Sequence, residues 1–394
     1  MRSDPLAYLT AELSALKEQG LYRKLRILED EQKPKTTVDH KIVVNLSSNN
    51  YLGLTTHPRL REAALEATRK YGVGTGSVRT IAGTMDIHME LERRLAEFKK
   101  TEAVVVFQSG FAANAGTVAS VLGKDDVVIS DELNHASIID GSRLSRAAIK
   151  VFPHKDVDAA RTILQSLPAA QRKLLITDGV FSMDGDLGAL PALCDLAEEF
   201  GCIMMVDDAH ASGVFGKHGR GTVDHFGVHG RVDIQVGTLS KAVGVLGGYV
   251  AGTRSLIEFL YHRARPFLFS TSHPPGVAAA CIAAIDVLLG EPQIIERLWD
   301  NTRFFQSGLQ SLGFNTGASD GPITPVIVGD GALAMKLSDQ LFHCGVFAQG
   351  IAFPTVAVGK ARVRTIVTAT HTRDELQYAL DTFGKVGRQL GILQ

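Results

Sequence analysis

Cysteine is scarce in this chain: Cys194, Cys202, Cys281 and Cys344 are the only four in 394 residues, and no two form a C-x-x-C pair. Placed singly in apolar surroundings, they read as buried reduced thiols, which excludes a disulfide framework or a zinc site, and no metal is expected. No apolar run reaches membrane length. The longest, residues 276–285, stops at Asp286, far short of the ~20 residues a spanning helix needs. Met1-Arg2-Ser3-Asp4-Pro5 has no apolar export core, so a soluble, cytoplasmic protein is expected. An excess of one charge is missing as well. Lys and Arg number 41 against 42 Asp and Glu, with no block of like sign, which argues against a nucleic-acid or membrane partner. There is no Walker A sequence and no H-E-x-x-H. Gly72-Val73-Gly74-Thr75-Gly76 follows a helical pattern instead of a strand, and Gly317-Ala318-Ser319-Asp320-Gly321 runs into Pro322 with no helix behind it. Neither a dinucleotide loop nor a nucleophile elbow is therefore credible.

Glycine is what the chain has in plenty, 39 residues against a background of roughly 7%. Asp4-Pro5 is a helix start, and Leu6, Leu9, Leu13 and Leu16 recur at helical spacing until Gly20. That helix is expected to pack on another subunit or across the domain, with residues 1–56 as an N-terminal helix and extended segment. From residue 57 helical stripes alternate with apolar runs such as Val127-Val128-Ile129, Leu174-Leu175-Ile176-Thr177 and Ile203-Met204-Met205-Val206. Runs of this kind predict strands buried on both faces of a mostly parallel sheet, an α/β unit over 57–290. A long helical stretch at 274–312 leads into a smaller α+β unit over 291–394. It has strands at 324–328 and 362–367 and helices at 332–344 and 373–390.

Polar residues collect where the strands stop: Asp131 and His135, Asp178 and Ser182, Asp207 and His210, Thr238 and Lys241. Open α/β sheets bind ligands at the carboxyl ends of their strands, so these ends imply one site. Asp207, first out of an apolar strand, suits a protonated ring nitrogen; the alternative is a structural cap, the reading that fits Asp208. Lys241, among small residues and glycines, suits a carbonyl cofactor bound as a Schiff base, the alternative being a solvated lysine. Gln108-Ser109-Gly110-Phe111 joins a strand to a helix whose first amides attract phosphate, unless it is an ordinary turn. His135 is placed to present its ring to a planar cofactor or to pack at a helix start. Within Arg362-Val363-Arg364 the two guanidiniums are expected on opposite faces of a strand, one taking a carboxylate bidentately and the other in an ion pair.

Together these segments resemble the α-oxoamine synthases, pyridoxal-phosphate enzymes of the aspartate-aminotransferase fold (fold type I), over almost the whole chain. The resemblance is carried by Ser48-Asn49-Asn50-Tyr51-Leu52-Gly53, Asp131-Glu132-Leu133-Asn134-His135, Asp178-Gly179-Val180-Phe181-Ser182, Val206-Asp207-Asp208-Ala209-His210, Thr238-Leu239-Ser240-Lys241, Phe269-Ser270-Thr271-Ser272 and Ala361-Arg362-Val363-Arg364. It implies that Lys241 carries the cofactor and moves protons, that Asp207 pairs with the pyridine nitrogen and that His135 stacks on the ring. It further implies Ser182 and His210 near the phenolic oxygen, with Ser109, Gly110, Phe111 and Thr238 at the phosphate. Ser270 and Thr271 would reach the phosphate in a neighbouring subunit, hence an obligate homodimer with shared sites. Arg364 would bind the amino-acid carboxylate and Asn49 would lie on the substrate side; Arg23 and Arg26 match no substrate contact. The activity implied is condensation of glycine or alanine with an acyl-CoA, releasing CoA, with or without CO2. Two subfamilies, glycine C-acetyltransferases and 8-amino-7-oxononanoate synthases, both fit. A fold-type-I aminotransferase or lyase and a non-catalytic regulatory subunit are the other readings.

Overall fold

The computed structural model describes residues 4–19, 22 and 25–394. An antiparallel hairpin, β1 (Lys35–Val38) and β2 (Lys41–Asn45), comes first. Next are β3 (Ala103–Phe107), β4 (Val127–Asp131), β5 (Ala148–Phe152), β6 (Lys173–Asp178), β7 (Ile203–Asp207), β8 (Ile234–Thr238) and β9 (Gly248–Gly252). These seven form one sheet in the order β3-β9-β8-β7-β6-β4-β5. Pairings from β8 through to β5 are parallel, and β9 runs against both of its neighbours, β3 and β8. The final strands are β10 (Ile323–Gly329), β11 (Val346–Phe347), β12 (Gln349–Ile351) and β13 (Ala361–Ile366). β10, β13 and β12 make an antiparallel sheet, while β11 pairs in parallel with β2.

The continuous apolar runs work as expected of a sheet covered on both sides. Successive side chains of a strand point to opposite faces. Val127, Ile129, Leu175, Met204 and Val206 accordingly join one core with Leu193 and Leu196 of the helix Leu190–Phe200. Val128, Leu174, Ile176, Met205 and Val236 join another with Ala113 and Val118 of the helix Gly110–Val121. The C-terminal elements have a core of their own around Phe305, Val363 and Phe383, and Val44 and Leu46 belong to it. The extended part of the N-terminal segment is thus tied to the C-terminal unit through β2.

Three expectations shift. The stretch at 274–312 is two helices, Pro275–Gly290 and Gln293–Ser311, bent by 78° at a short break. The first helix spans Tyr8–Glu18, later than Asp4-Pro5, because the Asp4 carboxylate accepts the Leu6 N–H at 2.9 Å and holds a turn there. Its stripe of Leu9, Leu13 and Leu16, with Leu6 before it, is exposed in the single chain. Among the described residues no single helix is long and apolar enough to cross a membrane. All four cysteines are free; Cys194 and Cys281 are buried, and Cys202 and Cys344 are half-buried.

Candidate active site

The carboxyl ends of β4, β6, β7 and β8 and the turn after β3 open into one cavity. Ser109, Gly110, Phe111, His135, Asp207, His210, Thr238 and Lys241, all expected at the site, line it together with Asn114, Ser137, Asp178 and Ser240. Asp178 and Asp207 sit side by side on adjacent strands. Two carboxylates this close to one buried amine set the electrostatics.

Burial lowers the Lys241 amine to about 8, although the charges of Asp207 and Asp178 pull the other way. Burial, then the neighbouring Asp207 charge, pushes Asp178 well above the usual carboxylate range. Asp207 accepts the Ala209 N–H at 2.8 Å on one oxygen and Asn114 Nδ2 at 2.6 Å on the other. Asn114 Nδ2 also donates to Ser137 Oγ at 2.9 Å, and Ser137 Oγ lies 2.7 Å from His135 Nδ1. His135 Nδ1 accepts the Ser137 N–H at 3.2 Å, so this nitrogen carries the lone pair and the Ser137 hydroxyl donates to it. Desolvation and then the Lys241 charge lower the His135 pKa, against the pull of Asp207. One chain of hydrogen bonds therefore joins the expected ring-stacking histidine to the expected carboxylate. Asn114 and Ser137 had not been singled out from the sequence. Asn114 stands alone as a polar residue in Gly110-Phe111-Ala112-Ala113-Asn114-Ala115-Gly116, a signal that was there to read.

At the other side of the cavity the helix Gly110–Val121 begins, capped by Ser109, whose hydroxyl accepts the Ala112 N–H at 3.1 Å. The first amides of a helix have no intrahelical acceptor. Thr238 Oγ1 and Ser240 Oγ lie 2.7 Å apart opposite them, and a Cβ added at Gly110 would lie 3.4 Å from that of Thr238. Asn114 Oδ1 and Asp178 Oδ1 are buried without a hydrogen-bond partner. An anion cradle, an amine, a carboxylate and two orphaned polar atoms around one hollow fit a ligand that carries phosphate, a carbonyl and a basic ring nitrogen.

The remaining expected residues lie outside the lining. Ser182 is half-buried, and its carbonyl accepts Arg364 Nη1 at 3.1 Å. Arg364 stands close enough for its charge to act on Lys241, His210 and Tyr51. Arg362 Nη1 donates to Met183 O at 2.9 Å and pairs with Asp184 at 2.6 Å. The expected opposite facing of Arg362 and Arg364 is wrong: residues two apart in a strand share a face, and both guanidiniums reach the same loop. Asn49 is half-buried, and its Oδ1 has no partner. Ser270 is half-buried; Thr271 is exposed, and its carbonyl accepts Gln108 Nε2 at 2.8 Å. Asp208 is structural, held by Lys99 Nζ at 3.1 Å and the Thr222 N–H. Arg26 pairs with Asp39 and Asp339 and stacks on Phe342; Arg23 lies outside the described residues.

A family model for aminotransferases of class I and II matches residues 41–383. The chain belongs to this family. It is 62% identical to 8-amino-7-oxononanoate synthase of Symbiobacterium thermophilum over 387 residues, 98% of this chain and 99% of that one. It is 57% identical to 8-amino-7-oxononanoate synthase 1 of Bacillus subtilis over 386 residues, 98% of both chains. Serine palmitoyltransferase of Sphingomonas wittichii superposes with a TM-score of 0.95 at 33% identity, covering 100% of both chains. A serine palmitoyltransferase structure containing pyridoxal phosphate gives 0.94 at 33% identity, covering 99% of this chain and 100% of that one. The resemblance to α-oxoamine synthases and the fold-type-I architecture are both borne out.

Proposed function

We propose that the chain is a soluble, cytoplasmic acyltransferase of the 8-amino-7-oxononanoate synthase type. It would use pyridoxal phosphate to condense alanine with pimeloyl-CoA, releasing CoA and CO2, as a homodimer with shared sites. The observation that carries this reading is Lys241 in one cavity with Asp207, His135 and the open helix start at Gly110. The relatives named for this activity, at 57–62% identity over nearly the full length, favour it over a transaminase.

Lys241, Asp207, His135 and the 109–111 turn with Thr238 and Ser240 would hold the cofactor by its carbonyl, ring nitrogen, ring face and phosphate. When bound, pyridoxal phosphate supplies the carbonyl that takes up the amino acid and a ring that delocalises the electron pair left at Cα. The residues do the rest. With its pKa brought to about 8, Lys241 is close enough to neutrality to take the Cα proton and return one later. Asp207, fixed by Asn114 and the Ala209 amide, keeps a proton on the ring nitrogen. Arg364 meets the amino-acid carboxylate, and Asn49 lies on the substrate side; Ser270 and Thr271 complete the partner's phosphate site. The side chain of Ser182 would face the phenolic oxygen together with His210. The test is product analysis with glycine or alanine against acetyl-CoA or pimeloyl-CoA. Alanine with pimeloyl-CoA is expected to turn over fastest, with one CO2 per CoA. Preference for glycine and acetyl-CoA would move the assignment to a glycine acetyltransferase, and amino transfer to a keto acid without CoA release would overturn it.

A further inference from the structure

His210 sits three residues past Asp207, in a turn where the Ala211 N–H donates to Asp208 O at 3.0 Å. Its ring lines the cavity, but Nδ1 is turned away from it, 2.7 Å from Tyr51 Oη. The two rings meet edge to face at 76°, with centroids 6.2 Å apart. Tyr51 is 0% exposed, and its hydroxyl has no second partner among the described residues. We infer that Tyr51 is a positioning residue: its hydroxyl donates to His210 Nδ1 and so fixes the imidazole proton on Nε2, the nitrogen left for the cavity.

One 2.7 Å contact admits two arrangements, and burial decides between them. Were Nδ1–H the donor, the phenolic hydrogen would be left in the interior without an acceptor, the arrangement that buried polar groups avoid. With the hydroxyl donating, every hydrogen has a place, and Nε2–H points where a ligand can use it. Charge excludes any third arrangement with an imidazolium or a phenolate. Burial, then Lys241 and Arg364, holds the His210 pKa well below its ordinary value, and burial raises that of Tyr51. Both groups are therefore neutral, and one hydrogen lies between them. The backbone that carries the ring is held at both groups, since the Tyr51 N–H donates to Asn49 O at 2.8 Å and the Tyr51 carbonyl accepts the Ala369 N–H at 2.7 Å. The consequence for ligand binding rests on the proposed function: Nε2–H is then a fixed donor toward an oxygen of pyridoxal phosphate.

The experiment uses the full-length protein labelled with 15N-histidine, and His210 is identified by the signals lost in His210→Gln. In the wild type Nδ1 should show the shift of an unprotonated nitrogen and Nε2 that of a protonated one, before and after pyridoxal phosphate is added. In Tyr51→Phe the two shifts should move toward each other as both tautomers become populated. The dissociation constant for pyridoxal phosphate should rise roughly two- to tenfold, the size of one hydrogen bond. In a His210→Gln background Tyr51→Phe should add nothing further, because Tyr51 acts through that ring. A protonated Nδ1 in the wild type overturns the inference whether or not the variant folds. So do unchanged His210 signals in Tyr51→Phe, or full additivity with His210→Gln. A wild type with the expected tautomer that does not bind pyridoxal phosphate would overturn the functional reading and leave the tautomer assignment standing.

Discussion

Whether Lys241 carries a proton depends on a contest between burial, which expels the charge, and Asp207 and Asp178, which welcome it. Burial prevails, and the amine falls to about 8, against about 10.4 in an unfolded chain. Between those two values the unfolded chain binds the proton and the folded one does not. Stability of the cofactor-free protein therefore declines as pH falls through that window and levels off below about 8. Lys241→Met removes the penalty. It should raise the melting temperature of the cofactor-free protein at pH 7 clearly more than at pH 10.5, while abolishing turnover. Equal shifts at both pH values in thermal scans would mean that burial does not control this amine. The companion residue is Asn114, whose amide donates to Asp207 at 2.6 Å. A hydrogen bond to a charged group contributes about 1.5–3 kcal/mol, so Asn114→Ala should weaken pyridoxal phosphate binding by roughly tenfold or more, measurable by fluorescence titration. An unchanged affinity would show that Asp207 needs no such support.

Among the elements, β13 and the loop it grips form the proposed amino-acid end of the site. Arg362 and Arg364 lie on one face of β13 and hold the backbone of Ser182 and Met183. Arg362 is further occupied by the Asp184 carboxylate, whereas among the described residues Arg364 Nη1 donates only to the Ser182 carbonyl. Arg364→Lys should raise KM for the amino acid roughly ten- to hundredfold, through loss of a bidentate contact, and leave KM for the acyl-CoA nearly unchanged. Arg362→Lys should instead lower the melting temperature with little change in either constant. Steady-state kinetics on the two variants side by side decide it, and a reversed pattern would exchange their roles. The same elements show what a sequence can reveal. β4, β6 and β7 were legible because burial on both faces makes their residues apolar without interruption. β5 was not, since four of its five residues are exposed at the sheet edge. β9 was missed because Gly248 and Gly252 bound it and read as turn residues. Lys241, Asp207 and His135 announced themselves as polar residues at strand ends. Ser137 and Tyr51 did not, because their importance lies in contacts across distant parts of the chain.

For the whole molecule, the proposed homodimer brings the exposed Thr271 and half-buried Ser270 to the partner's cofactor. Mixing Lys241→Ala chains with Ser270→Ala/Thr271→Ala chains then places both defects in one site of each hybrid and leaves the other site whole. Activity should return to roughly a quarter of wild type at equal mixing; hybrids that form but stay inactive would show that each chain works alone. A last consequence comes from the one antiparallel strand of the large sheet. β9 lies between β3 and β8, so the strands that lead to the two banks of the anion cradle, the 109–111 turn and Thr238 with Ser240, are joined in the sheet through it. At Gly248 the strand presses so closely on Ser109 that an added Cβ would lie 2.3 Å from its carbonyl oxygen. During synthesis β3 emerges first of the seven strands and β9 last, and non-local pairing of this kind is slow. The first strand must wait for the last, and a chain still short of residue 252 already holds Lys241 but has no finished seat for a phosphate.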